Sequence, residues 1–269
     1  MDRLLREGAF KGETHIVSGA GQGIGKCVAA VLANHGACVA LVDLDEGRVS
    51  SVRDELKEFA AVEPIPVAAN VANEDDVKAA VAKVLEETGC INGVVNVAGI
   101  TRDARIVKKS FDDFKAVIAV HLHGTFLFTR EVAAQHWHPL FKANGNSPLR
   151  DGVNRFIVNF SSVTARSGNV GQVDYTAAKG AIESLTRTAA MEFAGYGVRV
   201  NAVAPGPVRT PMLAAIPDEA MKAMERGNLM GRIAEPEELA AWVCALADSK
   251  LSSYTTGQVY QANGGMYFA

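Results

Sequence analysis

Seven short apolar runs punctuate the chain, at 15–18, 38–42, 65–68, 93–97, 156–160, 198–204 and 259–262, and longer stretches with helical periodicity fill the gaps. Most of the runs are apolar throughout rather than alternating, which suits strands covered on both faces. Helix signals sit where the runs end. A stretch at 23–35 opens at a glycine turn, and Asn73 offers an N-cap to the next helix, with Glu74, Asp75 and Asp76 complementing its dipole. Ser110 and Asp113 have the spacing of a capping box, with Asp in place of Glu or Gln, ahead of a long helix. Pro236 suits the first turn of another helix ending near Ala247. Strand–helix alternation of this kind predicts an α/β protein: a three-layer, doubly wound parallel sheet with right-handed crossovers. No internal repeat, low-complexity tract or linker divides it, so 1–269 reads as a single domain.

Two segments break the rhythm. The polar, Gly- and Asn-rich stretch 141–154 reads as a surface loop. The stretch 205–235 is rich in Pro and Met, and 207–235 is expected to act as a substrate lid, because long loops at the carboxyl end of a strand often do. Composition narrows the function. Of 269 residues, 48% are hydrophobic and 21% charged, the balance of an ordinary globular protein. A net charge of −3 without a basic stretch argues against nucleic acid. No apolar run approaches a membrane span, and the first residues lack the apolar core of a signal peptide. Cys27, Cys38, Cys90 and Cys244 are scattered, which reads as reduced thiols in a cytoplasmic protein and no metal site.

The first run leads into Ser18-Gly19-Ala20-Gly21-Gln22-Gly23-Ile24-Gly25 and then a helix. This is a Rossmann-type place for a dinucleotide pyrophosphate, where glycines admit close backbone and helix N–H groups face the anion. The spacing is G-x-x-x-G-x-G rather than G-x-G-x-x-G, and a tight strand–helix joint is the bland alternative. Asp43 ends the second run. An acid there binds ribose hydroxyls and repels a 2′-phosphate, and Gln22 leaves the turn itself without a cation, so NAD is favoured over NADP. A turn-capping role for Asp43 is the alternative.

Tyr175 and Lys179 stand four apart on a helical pattern, so they share a face. Ser162 follows the run 156–160, whose carboxyl end opens on the ligand crevice of such a sheet. Oxidising an alcohol requires loss of its hydroxyl proton. Tyrosine titrates near pH 10 and is a poor base at neutrality unless a cation favours the phenolate. Lys179 is that cation, and Ser162 holds the substrate oxygen.

Taken together, these residues identify the chain as resembling the short-chain dehydrogenases/reductases, nearly end to end. Ser18–Gly25 is similar to the T-G-x-x-x-G-x-G turn of that family, and Asn96-Val97-Ala98-Gly99 resembles its N-N-A-G motif. Ser162, Tyr175 and Lys179 have the family's catalytic spacing, and Pro205-Gly206 with Val208 and Thr210 resembles the segment that holds the nicotinamide carboxamide. The resemblance implies that Gly19, Gln22, Gly23, Ile24, Gly25, Asp43, Asn70, Val71, Asn96, Ala98, Gly99, Tyr175, Lys179, Pro205, Gly206, Val208 and Thr210 contact the cofactor. Three positions depart from the pattern. Val97 replaces an Asn. Asn70-Val71 stands where Asp-Val is usual, and an Asn oxygen still accepts from the adenine amine. His121 stands where many members carry the asparagine of a water relay to the lysine, which implies an altered proton relay or a structural imidazole. Met230-Gly231-Arg232-Ile233, Glu235-Pro236-Glu237-Glu238 and Asn263-Gly264-Gly265-Met266-Tyr267 resemble the 3-oxoacyl-carrier-protein reductases and 3-hydroxyacyl-CoA dehydrogenases. A homotetramer is also implied, pairing the helices at 111–137 and 175–195 and the last strand.

Other features carry less. His136-Trp137-His138 reads as a helix end running into Pro139, not a metal site. Met212, Met221, Met224 and Met230 line a flexible lid or form its core. Lys108, Lys109, Arg102 and Arg105 read as a solvated charged face, with attraction of an anionic acyl carrier as the alternative. Gln172 is expected to face substrate. The reading is therefore an NAD(H)-linked oxidoreductase acting on a small-molecule secondary alcohol or ketone, with a 3-hydroxyacyl or 3-oxoacyl thioester as the leading substrate. Its competitors are an NADPH-dependent 3-oxoacyl-carrier-protein reductase, a dehydrogenase of steroid, sugar or cyclic alcohols, and a non-catalytic dinucleotide-binding module.

Overall fold

The computed structural model describes residues 7–214 and 216–268. Its seven strands are β1 (Thr14–Ser18), β2 (Cys38–Asp43), β3 (Ile65–Ala68), β4 (Gly93–Asn96), β5 (Arg155–Phe160), β6 (Val198–Pro205) and β7 (Val259–Ala262). Each covers one of the apolar runs. They form one parallel sheet in the order β3-β2-β1-β4-β5-β6-β7. The chain works outward from β1 to β3, then returns to the other side of β1 with β4. The switch point between β1 and β4 opens a crevice beyond the carboxyl ends of these strands, where ligands of doubly wound sheets bind.

Helices α1 (Gly23–Asn34), α2 (Glu46–Lys57) and α3 (Glu74–Thr88) serve the first half of the sheet. Asn73 caps α3 by accepting from the Asp76 N–H, as its place before three acids predicts. One face of the sheet packs on α1, α2 and α11 (Pro236–Ala247), burying Val28, Leu32, Val49 and Val243. The other packs on α3, α5 (Gly124–Val132) and α8 (Val173–Phe193), burying Val81, Phe128 and Ala189. Burial on both faces is why the strands read as continuous apolar runs.

The long helix of the middle region contains two interruptions. It runs as α4 (Phe111–Ile118), a π turn at Ala119–His123, α5, a second π turn at Ala133–Trp137, and α6 (His138–Ala143). Ser110 caps α4 by accepting from the Asp113 N–H, but the Asp113 carboxylate accepts the Ser110 hydroxyl proton rather than its N–H, so the box is not the reciprocal kind. A reciprocal box occurs at α11, between Glu235 and Glu238. The helix does not end before Pro139, contrary to expectation. Proline offers no N–H and collides with the carbonyl four residues back. The second π turn loosens the spacing just before it, and the helix continues to Ala143. Within that turn Trp137 is fully buried, with its indole N–H donating to the Ile91 carbonyl. His138 pairs with the Tyr196 hydroxyl, and no group of three metal-ligating residues occurs among the described residues.

The remaining helices are α7 (Thr164–Ser167), α9 (Pro211–Ala214), α10 (Asp218–Arg226) and α12 (Ser249–Ser252). Thus 205–235 is not one loop but carries two short helices, with Met212 and Met230 exposed and Met221 and Met224 half-buried. No helix among the described residues is long and apolar enough to cross a membrane.

Candidate active site

The crevice has two walls. The first is the turn from β1 into α1. Ser18 ends β1 buried, and its hydroxyl accepts from the Val97 and Ala98 N–H groups, so the short polar residue ties the turn to the end of β4. Gly19 lies at φ +71°, and a Cβ there would stand 2.8 Å from Ala98 Cα. A Cβ on Gly25 would stand 2.1 Å from the Gly19 carbonyl oxygen. These glycines are demanded by backbone packed on backbone. Gln22 is the exposed N-cap of α1 and makes no side-chain cap bond, and the first turn of α1 holds no acid. Neither its cap nor its first turn thus sets an anion against the N-terminal N–H groups of α1, as a pyrophosphate site requires. Ile24 packs at the edge of the core beneath.

Asp43 ends β2 with one oxygen accepting the Gly21 N–H at 3.1 Å and the other accepting the Asp45 N–H at 3.3 Å. The turn-capping and ribose-binding readings are thus compatible, since each carboxylate oxygen has two lone pairs. Arg48 adds a charge to this wall that the glycine turn itself does not announce. Its Cβ lies 3.0 Å from where a Cβ on Gly21 would stand, and its guanidinium pairs with Asp45 at 3.3 Å. The turn itself has no cation, but one stands beside it from the first turn of α2. The spacing of a helix start just after Asp43 is the signal that places it there. Asn70 commits its side-chain oxygen to the Ala72 N–H, so only a second lone pair is left for an adenine amine. Val71 is buried against Gly124. Asn96 donates to the Asn159 oxygen, while its own oxygen is buried with no partner among the described residues.

The second wall holds the catalytic candidates. Ser162, just past β5, is buried beside Tyr175, which lies in the first turns of α8; the Ser162 Oγ accepts from the Thr164 N–H at 3.3 Å and from the Thr164 hydroxyl at 3.1 Å. Lys179, one turn on, is buried. Its ammonium donates to the Phe160 carbonyl at 2.6 Å and lies 5.5 Å from the centre of the Tyr175 ring. The structure therefore unites Ser162, Tyr175 and Lys179 as their spacing predicts. The electrostatics differ from the simple expectation. Burial raises the Tyr175 phenol above the ordinary tyrosine value; the neighbouring Ser162 hydroxyl opposes this, and the Asp103 carboxylate adds to it. Burial pushes Lys179 down to about 7. Desolvation penalises the charged form of each, so it pushes an acid up and an amine down.

His121 comes to the same place from the first π turn, edge-on to the Tyr175 ring at 5.0 Å between centres. Its Nε2 lies 2.8 Å from the Ile100 carbonyl and 3.0 Å from the Ile100 N–H. With Nε2–H donating in the shorter contact, Nδ1 is left as a buried acceptor without a partner among the described residues. Burial, then the Lys179 charge, pushes this imidazole down to about 3, so it is neutral at any working pH. A Cβ on Gly99 would stand 2.3 Å from His121 Cε1: the ring occupies the space beside that glycine.

The segment beyond β6 closes over the first wall. Val163 N–H donates to the Pro205 carbonyl, and Gly206 N–H to that of Ala262. Val208 is buried and bridges to Ala234. The Thr210 methyl lies 3.3 Å from where a Cβ on Gly23 would stand. Gln172 does not offer its amide freely; Nε2 donates to the Asp103 carboxylate. Lys109 is no solvated charge either. It forms a buried ion pair with Asp174.

These residues could hold a dinucleotide: the glycine turn and α1 its pyrophosphate, Asp43 its ribose hydroxyls, and Tyr175 and Lys179 its reacting end. Comparison with known proteins agrees. Residues 19–267 match the family model described as Enoyl-(Acyl carrier protein) reductase. The 3-oxoacyl-[acyl-carrier-protein] reductase FabG of Thermotoga maritima is 37% identical over 257 residues, covering 96% of this chain and 98% of that protein. The (3R)-3-hydroxyacyl-CoA dehydrogenase of Homo sapiens is 37% identical over 259 residues, covering 94% of each. The Short-chain reductase protein NovJ of Streptomyces niveus is 38% identical over 261 residues, covering 93% of this chain and 92% of NovJ.

Proposed function

This chain belongs to the short-chain dehydrogenase/reductase family, a nicotinamide-dinucleotide-dependent oxidoreductase that interconverts a secondary alcohol and a ketone, and from that premise we propose its substrate, cofactor and catalytic residues. The substrate is a 3-hydroxyacyl or 3-oxoacyl thioester, and the cofactor is NAD(H). The dinucleotide supplies the chemistry of hydride transfer. Tyr175 takes the hydroxyl proton of the alcohol in oxidation and returns it in reduction. Ser162 holds the substrate oxygen, and Lys179 binds ribose and favours the phenolate. His121, neutral and anchored at Ile100, takes the place of the relay asparagine, with Nδ1 as the acceptor available to a proton path behind Lys179.

The observation that carries the reading is the gathering of buried Ser162 and Lys179 around Tyr175, with the Lys179 ammonium 5.5 Å from the centre of the tyrosine ring. An open cavity of about 620 Å³ beside α8, lined by Ile106, Val107, Val170 and Val173, supports an acyl chain as the variable part of the substrate. The NAD(H) preference rests on Asp43, against which Arg48, on the first turn of α2, favours a 2′-phosphate. The exposed Phe111 and Phe126 on α4 and α5 support a homotetramer, which light scattering tests: a monomer refutes it.

Tyr175→Phe tests the core of the proposal. It should lower kcat by about 10²- to 10⁴-fold, the usual worth of a positioned acid–base group, while NAD still binds. Full activity in that variant sinks the assignment.

A further inference from the structure

The first turn of α8 is tied to the loop after β4 by three links. Ala104 N–H donates to the Gly171 carbonyl at 2.9 Å. Gln172 donates to the Asp103 carboxylate at 3.1 and 3.2 Å. Lys109 donates to Asp174 at 2.8 Å. The third is unlike the other two in burial, since the Lys109 and Asp174 side chains are only 3% and 1% exposed. The same ammonium also donates to the Arg102 carbonyl. The second oxygen of Asp174 accepts the N–H of Tyr175 itself at 2.9 Å.

A buried ion pair is weak evidence of stabilisation, because desolvating two charges offsets most of their attraction and apolar residues of similar volume often do as well. What this pair does that an apolar pair would not is directional. One carboxylate oxygen grips the tyrosine's peptide N–H and the other is fixed to a loop far away in sequence. That loop includes Ile100, which holds His121. The groups flanking Lys179 are thus fastened to one segment.

We propose that Lys109 is a positioning residue, which acts through Asp174 to hold the Tyr175 backbone at the depth where the phenol meets Ser162 and the substrate oxygen. The inference rests on Tyr175 being the acid–base group. Displacements of about 1 Å at a reacting group cost on the order of 10²-fold in rate, so a tie at this peptide bears directly on turnover.

Lys109→Met removes the ammonium and keeps an apolar stem, but it strands a buried carboxylate and so tests stability as much as position. The decisive variant is the double change Lys109→Met with Asp174→Asn, which leaves no buried charge and keeps an oxygen for the Tyr175 N–H. Its melting temperature should return to near the parent value, and NAD affinity by fluorescence titration should be unchanged. Its kcat should stay lower by about 10- to 100-fold, with KM for both substrates within about twofold. Recovery of kcat together with the melting temperature would mean the pair only neutralises buried charge, and it overturns the proposal. So does a rise in KM for NAD as large as the fall in kcat, which would mean the whole crevice has loosened. Tyr175→Phe measured alongside separates the two claims. If that variant keeps its turnover, the tyrosine assignment fails whatever the Lys109 variants do.

Discussion

Between β1 and β2 the crevice is made of backbone: Gly19 lies on Ala98, Gly25 on the Gly19 carbonyl, and the Asp43 carboxylate receives two main-chain N–H groups. Between β4 and β6 it is made of side chains: a phenol raised by burial, an amine lowered to about 7, and an imidazole lowered to about 3. The first wall has no room for a Cβ at Gly19 or Gly25, and its polar side-chain atoms at Ser18 and Asp43 are paired. Among the described residues, the second wall keeps a buried acceptor unpaired at His121 Nδ1, and another lies where the walls meet, at Asn96 Oδ1. Shape is enough to seat a constant ligand. Moving protons needs groups whose two protonation states lie close in energy; burial brings Lys179 there, while it fixes Tyr175 as the phenol and His121 as the neutral imidazole at rest.

This contrast predicts different failures on the two sides. The largest effect should come from the second wall. Lys179→Met should lower kcat by about 10²- to 10³-fold with the fold retained, measured as initial rate against melting temperature. Loss of NAD binding instead of turnover would break the comparison. Gly25→Ala should do the reverse. Its Cβ has no room, and overpacking of about 1–3 kcal/mol weakens NAD binding by roughly 10- to 100-fold, read by titration, while any cofactor that binds is still turned over. Asp43→Ala should shift the ratio of kcat/KM values for NAD and NADP by about tenfold toward NADP, equivalent to about 1.4 kcal/mol. An unchanged ratio would transfer the preference to the neighbourhood of Arg48. His121→Asn should be the mildest, changing kcat by less than about tenfold, because both residues offer a buried acceptor beside the lysine.

Titration sharpens the same comparison. Alcohol oxidation needs the phenolate, so its kcat/KM should rise with pH, and burial places the rising limb toward the alkaline side. Ketone reduction needs the phenol and should fall over the same limb. Gly25→Ala should leave the position of the limb alone, because the added methyl touches no titrating group. A limb that moves in that variant would count against separate roles for the walls.

The strands and the first wall were legible in the sequence for the same reason: they depend on local residues. An apolar run bounded by Gly and polar residues announces a strand covered on both faces, and the spacing of Gly19, Gly23 and Gly25 announces the turn. Ser162, Tyr175 and Lys179 were legible because one helix and one strand end place all three. What escaped depends on contacts between distant segments. Lys109 looks like one of several solvated cations until Asp174 arrives beside it. The π turns leave no trace in hydrophobic periodicity, because each shifts the helix by a single residue where His121 and Pro139 must be accommodated. The upward shift of Tyr175 depends on how deeply the folded chain buries it, which spacing does not encode.

The space shared by Gly99 and His121 constrains the order in which this site can change. With imidazole at 121, even a methyl group at 99 has nowhere to go. With asparagine at 121, the volume vacated by the ring becomes available to that methyl. Substitutions at the two positions are therefore not interchangeable in sequence: the change at 121 opens a route that is closed to a change at 99 made first. Any mutational path toward a bulkier loop here runs through His121.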